Sequence, residues 1–285
     1  MKKILPFISL IIILSACEST DIEPIDPADI PLVVEGWIEE GQNPVVMVTH
    51  AADLTVDEPS FDNFVEKWCR VSIYDDDRQY VLTGRLNNNY TPPLIFTSTR
   101  LKGRAGHTYR LTVETEDRVL TSSVTMTAPP HLDSLRAERV PGNDSLYSIR
   151  AFVTPGECKY MKFFVKALPD ESRYYPSFLG TIATEEYDPT EGIVITRSKR
   201  SEFNDSVAES FTHYFEPGQT VLVHACSVQP EVFRFWQVYD ATVSLSENLF
   251  FSFNSNLPGN IDGGLGYFAG YGSSERAIRI PQATE

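Results

Sequence analysis

The chain has 285 residues, with 39 acidic against 24 basic side chains and a formal net charge of −15 at pH 7. So acidic a composition excludes the basic surface that displaces counterions from nucleic acid. Its 42% apolar and 12% aromatic residues exclude wholesale disorder and suffice for packed cores, and the length suits about two domains.

Met1-Lys2-Lys3 is a short basic segment, and residues 4–14 are an apolar run too short to cross a bilayer as an ordinary helix. Together they read as a signal peptide over 1–16. Leu14-Ser15-Ala16-Cys17 resembles the bacterial lipobox, which predicts cleavage before Cys17, diacylglycerol on its sulfur and a further palmitate-type chain on the freed amine. Several acyl chains hold a membrane stably where one binds reversibly. Residues 17–31, beginning "CESTDIEP", are acidic and proline-rich without apolar periodicity, the pattern of an extended tether. Acids directly after the lipidated cysteine resemble the signal that sends Bacteroidota lipoproteins to the outer face of the outer membrane. The other reading is that they only keep the linker soluble.

From Leu32 the pattern becomes short β-type runs separated by turns. Segments 32–38, 44–50, 69–75, 79–84, 94–98, 108–115 and 119–126 are rich in Val, Ile, Tyr and Thr. They predict an immunoglobulin-like or transthyretin-like β-sandwich over 32–128. Ala128-Pro129-Pro130 then breaks the series. A second mainly-β domain is expected over 129–285, with strands at 145–153, 160–168, 192–198, 219–228 and 249–254 and polar loops at 170–191 and 199–210. One short helix is expected after Pro230, where Val232, Phe235, Trp236, Tyr239 and Val243 fall on one face. The fold class is therefore all-β with one helix.

Catalytic motifs are missing: the sequence holds no H-E-x-x-H, no G-x-S-x-G and no phosphate loop. His213 and His224 fall on neighbouring predicted strands but lack a third ligand, so neither a metal nor a cofactor is expected. Asp75-Asp76-Asp77 and the acids Glu185, Glu186 and Asp188 do not follow calcium-loop spacing and read as a solvated turn and loop. Cys69, Cys158 and Cys226 match no zinc pattern and read as small apolar side chains, with room for one disulfide whose pairing stays open.

Near the end, Gly263, Gly264, Gly266, Gly270 and Gly272 alternate with Tyr267, Phe268 and Tyr271. A nucleotide fingerprint would open a helix, whereas this stretch runs into another β segment at 276–281. Close passage of a strand is the favoured explanation. An exposed ligand or partner surface over Tyr267, Phe268 and Tyr271 is the alternative. Three Asp-Ser-apolar triplets, at Ser134, Ser145 and Ser206, are similar to the O-glycosylation acceptor of Bacteroidota.

The lipobox, the strand "LVVEGWIEEGQNPVV", the strand "AGHTYRLTVET", "DSL" after the proline break and above all "NIDGGLGYFAGYG" resemble the domain of unknown function 4249 family of Bacteroidota outer-membrane lipoproteins. That resemblance implies a place beside a TonB-dependent outer-membrane transporter and supplies no catalytic residues. The favoured expectation is a lipid-anchored, outward-facing, non-enzymatic accessory or ligand-binding partner of such a transporter. The rival is a surface hydrolase acting on glycan or peptide with acids of the 185–191 loop.

Overall fold

A computed structural model describes residues 30–51, 64–197, 212–245 and 257–282. The expected signal peptide, Cys17, all but the last residues of the tether, Ser206 and the expected strand at 249–254 lie outside the described residues. Residues Pro31–Glu285 form one compact unit, and its described residues are mainly β, with one long helical element in the C-terminal half.

The first half of the chain supplies β1 (Leu32–Glu39), β2 (Val45–His50), β3 (Arg70–Asp75), β4 (Arg78–Val81), β5 (Thr83–Leu86), β6 (Leu94–Thr97), β7 (Thr108–Glu114) and β8 (Val119–Thr125). Strands β1-β2-β6-β5 lie side by side, facing a four-stranded sheet in the order β4-β3-β7-β8. This is the A-B-E-D against C-F-G pairing of an immunoglobulin-type sandwich with β4 added beside C as a C′ strand, so strand order decides between the two sandwich types the sequence allowed. The alternation in β1 explains the packing: Leu32, Val34 and Ile38 point into the core with Val71, Ile73, Leu111, Val113 and Phe268. Val33, Glu35, Trp37 and Glu39 fall on the opposite face.

The second half supplies β9 (His131–Val140), β10 (Asn143–Thr154), β11 (Tyr160–Leu168), β12 (Tyr175–Ala183), β13 (Ile193–Ile195), β14 (Thr220–Ser227), the helix α1 (Pro230–Leu245) and β15 (Leu265–Arg279). A three-stranded sheet, β13-β10-β9, packs through Leu132, Tyr147, Ile149 and Ile195 on Phe163, Val165, Val221 and Val223 of β11 and β14.

Strand β15 is the seam between the halves. Its first part, 265–271, pairs parallel with β1, and its second, 272–279, pairs antiparallel with β14. One eight-stranded sheet results, in the order β12-β11-β14-β15-β1-β2-β6-β5. The proline break at 128–130 separates β8 from β9, yet Phe268 of β15 belongs to the first core. Where β14 has not yet begun to pair, two side-chain amides complete the free edge of β15. Asn260 exchanges two 2.8 Å hydrogen bonds with the backbone of Phe268. Gln229 donates to the Gly270 carbonyl at 2.8 Å and accepts from its N–H at 3.2 Å. Buried backbone groups require such partners.

The glycines of this stretch are there for close passage. A Cβ on Gly266 would sit 2.0 Å from the Val34 carbonyl oxygen, and one on Gly272 2.0 Å from that of Thr127. Tyr267, Phe268 and Tyr271 are accordingly not an exposed surface: they are 4%, 0% and 4% exposed. The period-2 alternation sends Phe268 into the sandwich core and the two tyrosines beneath α1. Cys69, Cys158 and Cys226 are free thiols, the last two buried and Cys69 half-buried, so the disulfide the sequence left room for does not form among them.

Candidate functional site

The densest polar chemistry lies on the outer face of the eight-stranded sheet, beneath and beside α1. Helix α1 starts at Pro230, where a missing N–H costs nothing, and packs Val232, Phe233, Phe235 and Trp236 onto Tyr267, Ala269 and Tyr271 of β15. The aromatic rings meet edge to face or tilted, with Phe235 on Tyr267 at 4.5 Å and Trp236 on Tyr267 at 5.7 Å.

Within this layer Lys162 of β11 is fully buried. Its ammonium lies 2.9 Å and 3.1 Å from the two carboxylate oxygens of Asp240 on α1, and it donates to Thr181 Oγ1 at 2.9 Å and the Ser177 carbonyl at 3.1 Å. The Trp236 ring lies 4.8 Å from the ammonium, and Thr181 also donates to Asp240 at 2.6 Å. Burial pulls the Lys162 pKa down and pushes that of Asp240 up, while each charge opposes the shift of the other. The pair pins α1 to β11 and β12.

A second group spans the seam. His224 of β14 meets Glu39 of β1 at 2.9 Å, and Ser273 of β15 donates to the same carboxylate oxygen at 2.7 Å. The Tyr174 ring stands edge-on to His224 at 4.8 Å, and its hydroxyl donates to Glu275. Burial draws the imidazole pKa down, but its interactions with Cys226 and Glu39 outweigh it and the net shift is upward. Burial also pushes Cys226 up, so it stays a thiol at neutral pH and the lasting partner of the imidazolium is Glu39.

A raised histidine pKa contributes stability that is fully present below the unfolded value of about 6.5 and lost as pH rises through the folded one. The stability difference between wild type and His224→Gln should therefore be largest below that pH and shrink as the solution becomes alkaline. Urea unfolding across that range measures it, and a difference that grows with pH would contradict the pairing.

Farther along β1, Tyr267 donates to Glu35 at 3.1 Å. Burial raises the Glu35 carboxyl, against the lowering effect of that hydroxyl and of Arg173. Trp37 and Tyr90, 6.0 Å apart between ring centres, are half-buried beside it. This face therefore combines two half-buried rings with the Glu35 and Glu39 carboxylates of β1.

The other sites expected from sequence are dispersed. His213 packs on Phe178 and donates through Nδ1 to the Arg197 carbonyl at 2.8 Å, so it and His224 serve different neighbourhoods. Glu186, Asp188 and Glu191 line an open groove of about 340 Å³ with Tyr187 and Gly192. Asp188 is spent on a turn, its Oδ1 accepting from Thr190 Oγ1 at 2.7 Å and Thr190 N at 2.8 Å, which lowers its pKa. Ser134 and Ser145 are exposed, on β9 and in the β9–β10 hairpin.

Glu35, Glu39, Lys162 and Asp240 belong to no catalytic or metal-ligand motif in the sequence. The available signal was a lone charge inside an apolar strand, as in "YMKFFVKAL" and "LVVEGWIE".

A family model described as Domain of unknown function (DUF4249) matches residues 19–277. The chain belongs to this family. In this DUF4249 chain the match takes in both sandwiches, α1 and all of β15 except its last two residues. No curated protein matches the sequence. Among solved structures, a two fibronectin type-III domain segment from chicken tenascin is similar, at 12% identity over 70% of this chain and 91% of its own, with a TM-score of 0.20. The architecture of the DUF4249 chain rests on its own strand pairing.

Proposed function

We propose that the protein is a lipid-anchored, outward-facing outer-membrane lipoprotein that serves as a non-enzymatic accessory or ligand-binding partner of a TonB-dependent nutrient transporter. The observation that carries the non-enzymatic part is how the buried charges are used. Lys162 with Asp240, His224 with Glu39, and Glu35 with Tyr267 are bonded to one another across β1, β11, β14, β15 and α1. Catalytic groups must keep hydrogen-bonding capacity for a substrate; the Lys162 ammonium commits all of its donors to Asp240, Thr181 and Ser177, and the His224 and Glu35 pairs tie the strands of two sandwiches into one presenting body. Membrane attachment and the transporter partner are supported by the lipobox-like residues 14–17 and by the family resemblance.

The rival, a surface hydrolase, would place its acids in the groove of Glu186, Asp188 and Glu191. A general acid needs a raised carboxyl, and Asp188 shifts the other way.

Two measurements test the proposal. Cys17→Ala should move the protein from washed membranes to the soluble fraction, and its retention in the membranes would contradict the anchor. Recovery of a transporter with the tagged wild-type chain from mild detergent is the corresponding test of partnership.

A further inference from the structure

Asp75 closes β3, Asp76 and Asp77 make the turn into β4, and His107 immediately precedes β7, the strand that pairs with β3 on its other side. One ligand atom from each of Asp75, Asp76 and His107 lies within 4.8 Å of the other two. Neighbouring residues of a strand point to opposite faces. Asp76 departs from that rule because its backbone is left-handed, with φ 52°, and both carboxylates reach the same imidazole.

The three groups are only partly satisfied. Asp75, 9% exposed, takes one hydrogen bond, at 2.7 Å between its Oδ1 and His107 Nδ1. A carboxylate can accept about four. Asp76 has no hydrogen bond or ion pair among the described residues. The nearby guanidiniums turn away onto rings, Arg78 over Tyr80 at 5.0 Å and Arg110 over Tyr74 at 4.5 Å. Two aspartates thus share a small space with a nitrogen ligand, and among the described residues neither forms an ion pair with a lysine or arginine.

The geometry points to a site for one divalent first-row transition cation, held by Asp75, Asp76 and His107 with water completing its shell. Three protein ligands of mixed nitrogen and oxygen type with an open position suit zinc. Ligand atoms about 2.0 Å from a tetrahedral zinc stand roughly 3.3 Å from one another, between the 2.7 Å of the Asp75–His107 contact and the 4.8 Å within which all three ligand atoms lie. Calcium and magnesium, which take oxygen ligands, gain little from an imidazole. A bound cation would also join the β3–β4 turn to the start of β7, stiffening that end of the first sandwich.

The test is calorimetric titration of zinc sulfate into the metal-free full chain, with calcium chloride in parallel. One saturable equivalent of zinc is expected, weakened at least about ten-fold by His107→Gln and by Asp76→Asn. His131→Gln should leave it unchanged, because His131 with Asp133 is a separate exposed pair. Circular dichroism of each variant confirms that it is folded. Absence of saturable zinc binding, undiminished affinity in both ligand variants, or calcium binding as tight as zinc would overturn the site.

Discussion

Lys162→Met is expected to lower the unfolding free energy by about 3–5 kcal/mol, because it removes one partner of a buried ion pair and leaves the other unneutralised. Asp240 would keep the Thr181 hydroxyl but lose both ammonium contacts, beneath a helix whose apolar face depends on staying seated. The second half of the test is the double variant Lys162→Met with Asp240→Leu. Replacing both charges with apolar groups of similar volume is often neutral or better, so most of the loss should return. Urea unfolding of the two proteins decides the matter. A single variant costing under about 1 kcal/mol would show that the pair behaves like an exposed one.

Gly266→Ala should cost about 2–5 kcal/mol, combining strain at an unfavourable backbone angle with overpacking. Gly266 has φ 99°, and an added Cβ would meet the Val34 carbonyl oxygen at 2.0 Å, in the register where β15 pairs with β1. Gly41 supplies the control: its φ is 72°, but no atom lies within 4 Å of an added Cβ. Gly41→Ala should therefore show only the backbone cost, about 1–2 kcal/mol. Equal losses at the two positions in thermal or urea unfolding would mean that close passage at the seam contributes nothing.

Much of the fold was legible in the sequence because the strands carry their own pattern. The alternation of β7 and β8, the apolar runs of β11 and β14, and the Pro230 start of α1 are local signals, and each element lies within a residue or two of where they place it. Strand β12 falls within the polar loop expected over 170–191, because it carries Pro176 and Gly180 at a sheet edge, where proline is tolerated. Strand β9 carries no clear β pattern in the sequence, because its charged residues are mostly exposed at another edge.

The candidate site was less legible, for a physical reason. Glu39 and His224 are separated by most of the chain and meet only because β15 lies between their strands. Lys162 and Asp240 likewise belong to a strand and a helix whose approach no local pattern encodes. The Gly-aromatic motif was half legible: its glycines signalled close passage, but its tyrosines could be assigned to core or surface only once α1 was seen to cover them.

The central claim, that this DUF4249 chain is a tethered partner whose buried charges serve architecture, is tested most directly by a mild-detergent pull-down of the tagged wild-type protein from native membranes. Mass spectrometry then identifies what accompanies it. The account predicts stoichiometric recovery of a TonB-dependent transporter. Recovery of the tagged chain alone, together with hydrolysis of a glycan or peptide by the purified chain, would contradict it.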